Sequence, residues 1–135
     1  MKLIFGKIDI QSLVAAHKEM NECLLCSKIN TGYPEKFRQA AAIQCFEFSY
    51  ELSWKTMKRI LYEKGVVVNS PKNIFREAAK EKLIDNPDIW FKFQDYRNLT
   101  VHTYDAKVIQ EIFSILPEFL HHMTLFVVCL ENDFC

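Results

Sequence analysis

Nine consecutive residues hold the densest chemistry in this chain: Arg97, Asn98, Leu99, Thr100, Val101, His102, Thr103, Tyr104 and Asp105. RNA can be cut by its own 2′-hydroxyl attacking the adjacent phosphate. That reaction needs an acid or base that titrates near neutrality, which histidine supplies. It also needs a fixed cation on the developing phosphate charge, which arginine supplies through two parallel N–H donors. Asn98 and Tyr104 are suited to hold a phosphate oxygen or the substrate backbone. On a straight helix, Arg97 and His102 would lie about 140° apart. The β-branched Thr100, Val101 and Thr103 weaken the helix there, so a break that turns both toward one cleft is expected. The pattern alone also describes a plain helix end. In that reading His102 caps the helix and Arg97 pairs with Asp95 or Asp105.

Other candidates are weaker. Cys23-x-x-Cys26 has neither the βαβ setting of a thioredoxin-type centre nor a second ligand pair at zinc-site spacing. Both cysteines fall in a helical pattern, where cysteine packs as a small apolar residue. His121 and His122 are adjacent on a helix and diverge, which suits a solvated or capping role. His17 lies on the apolar line of a helix and is expected as a packed histidine with a satisfied ring. The acidic residues are scattered, with no cluster for catalytic cations. Three glycines leave no phosphate-cradling loop, and no Gly-x-Ser-x-Gly turn occurs. No metal or cofactor is expected.

The elements that must position these residues are helices. With 135 residues, half of them hydrophobic, the chain is one domain with a real core. Three Gly and four Pro argue against a turn-rich β fold. Lys plus Arg and Asp plus Glu are 17 each, so no broadly basic coat exists. A first helix is expected from Lys7 to Ile29, ended by Asn30, Thr31, Gly32, Tyr33 and Pro34. A second runs from about Pro34 to Lys64 and stops at Gly65. It carries two apolar stripes. One is Phe37, Ala41, Cys45, Phe48 and Leu52; the other is Ile43, Phe46, Tyr50, Trp54, Met57 and Leu61. A bundle helix needs one such face, so the second calls for another helix or a second subunit. Val66 to Val68 reads as a connector. Ser70-Pro71 opens a helix to about Lys82, and Asn86-Pro87 opens another. Thr100 to Asp105 is ambiguous. A last helix runs from Ala106 to about Glu131, with Pro117 inside it. The expected fold is an all-α bundle of four or five helices.

No signal peptide is recognisable at the N-terminus. The apolar stretch Met123 to Leu130 is well short of the roughly 20 residues of a bilayer span. The chain therefore reads as cytoplasmic, with its five cysteines expected as reduced thiols.

Arg97-Asn98-x-x-x-His102-x-Tyr104 resembles the Arg-x4-His-x-Tyr signature of the HEPN superfamily. Further blocks make the chain similar to the HepT-like, or nucleotidyltransferase substrate-binding, proteins. These blocks are Phe46 to Lys58, Gly65, Ser70-Pro71, Arg76-Glu77-Ala78, Leu83-Ile84 and Trp90. The resemblance implies an up-and-down bundle that forms a homodimer, which would account for the second stripe on the second helix. It implies a minimal nucleotidyltransferase as partner. It implies either of two activities. One is a metal-independent RNase toxin, with Arg97 and His102 lining a dimer cleft and Asn98 assisting. The partner, as antitoxin, would then silence it by AMP transfer to Tyr104. The other is a non-catalytic subunit that presents substrate to the nucleotidyltransferase.

Overall fold

The computed structural model describes residues 4–29 and 32–132. Five helices form the bundle: α1 Gln11–Ser27, α2 Glu35–Glu63, α3 Pro71–Lys80, α4 Pro87–Leu99 and α5 Ala106–Glu131. A single 3-10 turn, Thr100–His102, joins α4 to the segment before α5. The 29-residue α2 is the centre, packed against all four other helices.

The first helix begins later than its periodicity predicts. Residues before Gln11 form a small antiparallel hairpin, β1 Ile4–Phe5 and β2 Ile8–Asp9, with Ile4 opposite Asp9 and Phe5 opposite Ile8. Gly6 turns it at φ +58°, a left-handed conformation that glycine adopts without steric cost. The Asp9 carboxylate then accepts from the Gln11 N–H at 2.8 Å. The expected breaker after α1 falls partly on residues 30 and 31, outside the described residues.

The other boundaries follow their local chemistry. Ser70 accepts from the Asn73 N–H at the start of α3, and Asn86 from the Asp88 N–H at the start of α4. Past the end of α2, Gly65 sits at φ +84°. The Val66 N–H reaches back to the Leu61 carbonyl at 2.9 Å and the Gly65 N–H to Tyr62 at 3.0 Å. This paired motif satisfies carbonyls that the helix end would orphan. The same motif follows α3, with Leu83 N–H bonded to Ala78 O, but there Lys82 takes the left-handed position at φ 62°.

The core is aromatic. Phe119 packs edge-on against Phe46 at 4.9 Å and against Phe93 at 5.2 Å between centroids. Trp90 meets Phe93 at 5.2 Å and Phe75 at 5.6 Å. Each such pair contributes about 0.5–1.5 kcal/mol beyond its buried area.

This core decides between the partners left open for the α2 stripes. Of the stripe that called for another helix or a second subunit, Ile43, Phe46, Tyr50, Met57 and Leu61 are buried inside the bundle and Trp54 is half-buried against it, so helices of the same chain meet it. The other stripe is covered only in part: Phe37 and Phe48 are each 57% exposed, while Cys45 and Leu52 are half-buried against the bundle. Four helices on one side of α2 are enough to cover the first face.

His17 is the packed histidine its position predicts. Its Nε2 lies 2.8 Å from Thr124 Oγ1. That hydroxyl already donates to the Leu120 carbonyl, so the ring donates to it. Burial lowers the His17 pKa. His121 is exposed, while His122 is half-buried, 5.8 Å from the Phe93 ring centroid. Cys23, Cys26 and Cys45 are free thiols, and burial raises the Cys45 pKa to about 12. Cys129 is disulfide-bonded, which departs from the expectation of five reduced thiols.

α5 is by length and composition long and apolar enough to span a membrane. The shorter stretch seen in sequence understated it. Its apolar face is already used: Ile112, Ile115, Leu116, Phe119, Met123, Phe126, Val127 and Leu130 are buried in the bundle.

Candidate functional site

The ambiguous segment is a helix break. α4 stops at Leu99, the 3-10 turn carries Thr100 to His102, and Asp105 caps α5 by accepting from the Lys107 N–H at 2.9 Å. Arg97 therefore leaves from the last turn of α4, and His102 and Tyr104 leave from beyond the break.

Arg97 is held from three directions. Its Nη1 lies 3.3 Å from Glu47 Oε2 and donates to Thr100 Oγ1 at 2.8 Å. Its Nε lies 3.5 Å from Glu51 Oε1. Thr100 is buried and donates back to the Arg97 carbonyl at 2.7 Å. The ion pairs correct the expectation of Asp95 or Asp105 as partners. Glu47 and Glu51 stand one turn apart on α2, so one face of that helix presents both carboxylates to the end of α4. This convergence is tertiary, and acidic residues that look scattered in sequence meet through it.

Arg97 lines an open groove of about 600 Å³ with Gln44, Glu47, Phe48, Glu51, Leu52 and Lys55. Its neighbour on the other side of Glu47 is a groove of about 400 Å³ that includes Lys36, Phe37, Thr100 and Thr103. Both grooves abut the exposed part of the partly covered α2 stripe, the first at Phe48 and the second at Phe37. On the same helix as Glu47 and Glu51, the Tyr50 hydroxyl is buried with no hydrogen-bond partner among the described residues. Burial, reinforced by the Glu51 charge, raises its pKa well above the usual phenol range.

His102 and Tyr104 form a separate pair. His102 Nδ1 lies 3.2 Å from the Tyr104 hydroxyl, with the rings edge-to-face at 5.8 Å. Both are exposed, Tyr104 at 84%. Asn98 is exposed on the last turn of α4. The break thus brings all four sequence-predicted residues to one end of the bundle. It does not bond Arg97 to His102: the first faces α2 and the second faces Tyr104. What sequence reasoning missed are Glu47, Glu51 and Thr100, and only the i, i+4 spacing of the two glutamates hinted at them.

The fold is that of a small all-α bundle with a helix break between α4 and α5. Residues 8–132 match the family described as nucleotidyltransferase substrate binding protein like. The chain belongs to that family. It is 40% identical over 86 residues to a protein of Haemophilus influenzae named probable ribonuclease HepT, an alignment spanning 60% of this chain and 59% of that relative. A solved Haemophilus influenzae structure, described as the fold of a substrate binding domain of a nucleotidyltransferase, superposes with a TM-score of 0.81 at 30% identity. It covers 88% of this chain and 96% of that one. A crystal structure from Thermus thermophilus gives 0.74 at 30% identity, over 85% and 98% of the two chains.

Proposed function

We propose that this protein is a metal-independent endoribonuclease toxin of the HEPN type, active in the cytoplasm as a homodimer. One observation carries the reading: the helix break that puts Arg97, Asn98, His102 and Tyr104 at one end of the bundle, beside a partly exposed apolar face. His102 takes the proton of the 2′-hydroxyl as it attacks phosphorus, or returns a proton to the leaving 5′-oxygen. Arg97 stabilises the charge on the phosphate oxygens, and Asn98 and Tyr104 position the backbone. Joining two copies along Phe37 and Phe48 brings two such sets toward one cleft and concentrates cations that a neutral monomer spreads thinly. The partner is a minimal nucleotidyltransferase. It transfers AMP to Tyr104: the phenol oxygen attacks the α-phosphorus of ATP, pyrophosphate leaves, and the phenol proton passes to His102 or solvent. The exposed hydroxyl beside an imidazole nitrogen suits that step.

Expression in cells tests the reading. Wild type is expected to arrest growth, and Arg97→Ala or His102→Ala to abolish the arrest. Arrest that survives both variants contradicts it.

A specific feature favours the other reading, a non-catalytic substrate-binding subunit. Glu47 and Glu51 already neutralise Arg97, which leaves it less charge for a phosphate. Glu47→Gln with Glu51→Gln separates the two. A ribonuclease gains RNA affinity from the change, and a binding subunit that never meets RNA does not.

A further inference from the structure

We propose that Glu19, Cys23 and Cys45 form a binding site for a thiophilic divalent cation of the zinc class, clamping α1 to α2. The inference stands independently of the ribonuclease reading. Cys23 lies on α1 and Cys45 on α2, and their sulfurs are 2.7 Å apart. Glu19 precedes Cys23 by one turn, so its carboxylate shares that face. The three donor atoms all lie within 4.8 Å of one another. Zinc holds sulfur at about 2.3 Å and carboxylate oxygen at about 2.0–2.2 Å, so donors sharing one ion must lie within about 4.6 Å of each other. The present spacing meets that limit almost as it stands. The two sulfurs need only open by about 1 Å toward tetrahedral separation, a side-chain adjustment.

The chemistry of the set selects the ion. Two cysteine sulfurs favour zinc over magnesium or calcium, which prefer all-oxygen cages. Each thiol releases its proton to solvent as its metal bond forms. Both cysteines are half-buried and Glu19 is exposed, so the ion enters from one side. That side is an open cavity of about 490 Å³, bordered by Glu19, Glu22, Cys23 and Cys26. Water from the cavity completes the fourth position. The Cys23-x-x-Cys26 motif thus contributes one ligand, and Cys26 is a rim residue. The second sulfur comes from a different helix, where sequence spacing gives no sign of it.

The test uses the full chain, stripped with chelator and kept reduced with a phosphine. Cadmium titration is expected to give a thiolate charge-transfer band saturating at one ion per chain, and zinc to displace it. Cys23→Ser or Cys45→Ser should each weaken binding at least about tenfold, the loss that even an outer-shell partner produces. Cys26→Ser should leave it unchanged. Alkylation with mass spectrometry checks the wild type without any variant: zinc should protect Cys23 and Cys45 and leave Cys26 reactive. No charge-transfer band, or protection of Cys23 with Cys26 instead, overturns the proposal. So does a Cys23–Cys45 disulfide whose reduced form binds no metal.

Discussion

Arg97 and Thr100 hold each other across the end of α4. The guanidinium Nη1 donates to Thr100 Oγ1 at 2.8 Å, and that hydroxyl donates to the Arg97 carbonyl at 2.7 Å. The loop fixes the arginine to its own helix end, while Glu47 and Glu51 fix it to α2.

Thr100→Val keeps the shape and removes both bonds. It is expected to cost about 1–3 kcal/mol of stability, each of the two bonds being worth about 0.5–1.5 kcal/mol. It should lower RNA cleavage several-fold, because the cation is no longer held in place. Thermal melts and cleavage rates on the same preparation check both halves.

The two α2 faces make opposite predictions. Phe46 is buried against Phe119, so Phe46→Glu should leave an unfolded chain by circular dichroism. Phe48 is exposed, so Phe48→Glu should fold normally and sediment as a monomer where wild type is expected to sediment as a dimer. A wild type that is monomeric at micromolar concentration contradicts the dimer cleft.

Stability should fall on the acid side. Burial lowers the pKa of His17 first by desolvation, and that of His122 for the same reason. Both rings stay neutral in the fold at pH values where the unfolded chain's histidines gain protons. The unfolded state then binds more protons as pH drops through about 6.5, and stability declines from there downward. The melting temperature is expected to be lower at pH 5.5 than at pH 7.5, both about one unit from that pKa. His17→Gln, which keeps an N–H toward Thr124, should reduce the difference.

Lys82 occupies the left-handed position after α3 at φ 62°. A side chain there costs roughly 1–2 kcal/mol, part of which glycine recovers. Lys82→Gly is expected to raise stability by up to about 1 kcal/mol in denaturant titration.

Tyr104→Phe removes the exposed hydroxyl and leaves the ring beside His102. Toxicity should weaken with the lost substrate contact but persist, and should no longer be relieved by the nucleotidyltransferase. Relief that survives the substitution places the modification elsewhere.

The helices were legible because their signals are local. Ser70-Pro71, Asn86-Pro87 and Gly65 set boundaries through bonds to nearby residues, and the structure keeps them. The hairpin was not legible, since four strand residues around Gly6 carry too little periodicity. The Arg97 segment showed its residue types and its break, but not its partners. Glu47 and Glu51 reach Arg97 from another helix, as Cys45 reaches Cys23; the i, i+4 spacing puts the two glutamates on one face, but nothing in spacing names the arginine they meet. The stripes of α2 were both visible as apolar. Which one is covered depends on where the other four helices pack, and that is decided by the aromatic core around Phe119.

The most direct measurement is RNA cleavage in EDTA by protein purified without its partner, with Tyr104 confirmed unmodified by mass spectrometry, and His102→Ala run beside wild type. Cleavage by wild type alone is expected, leaving 2′,3′-cyclic phosphate ends. No cleavage by either protein, or equal cleavage by both, contradicts the ribonuclease reading.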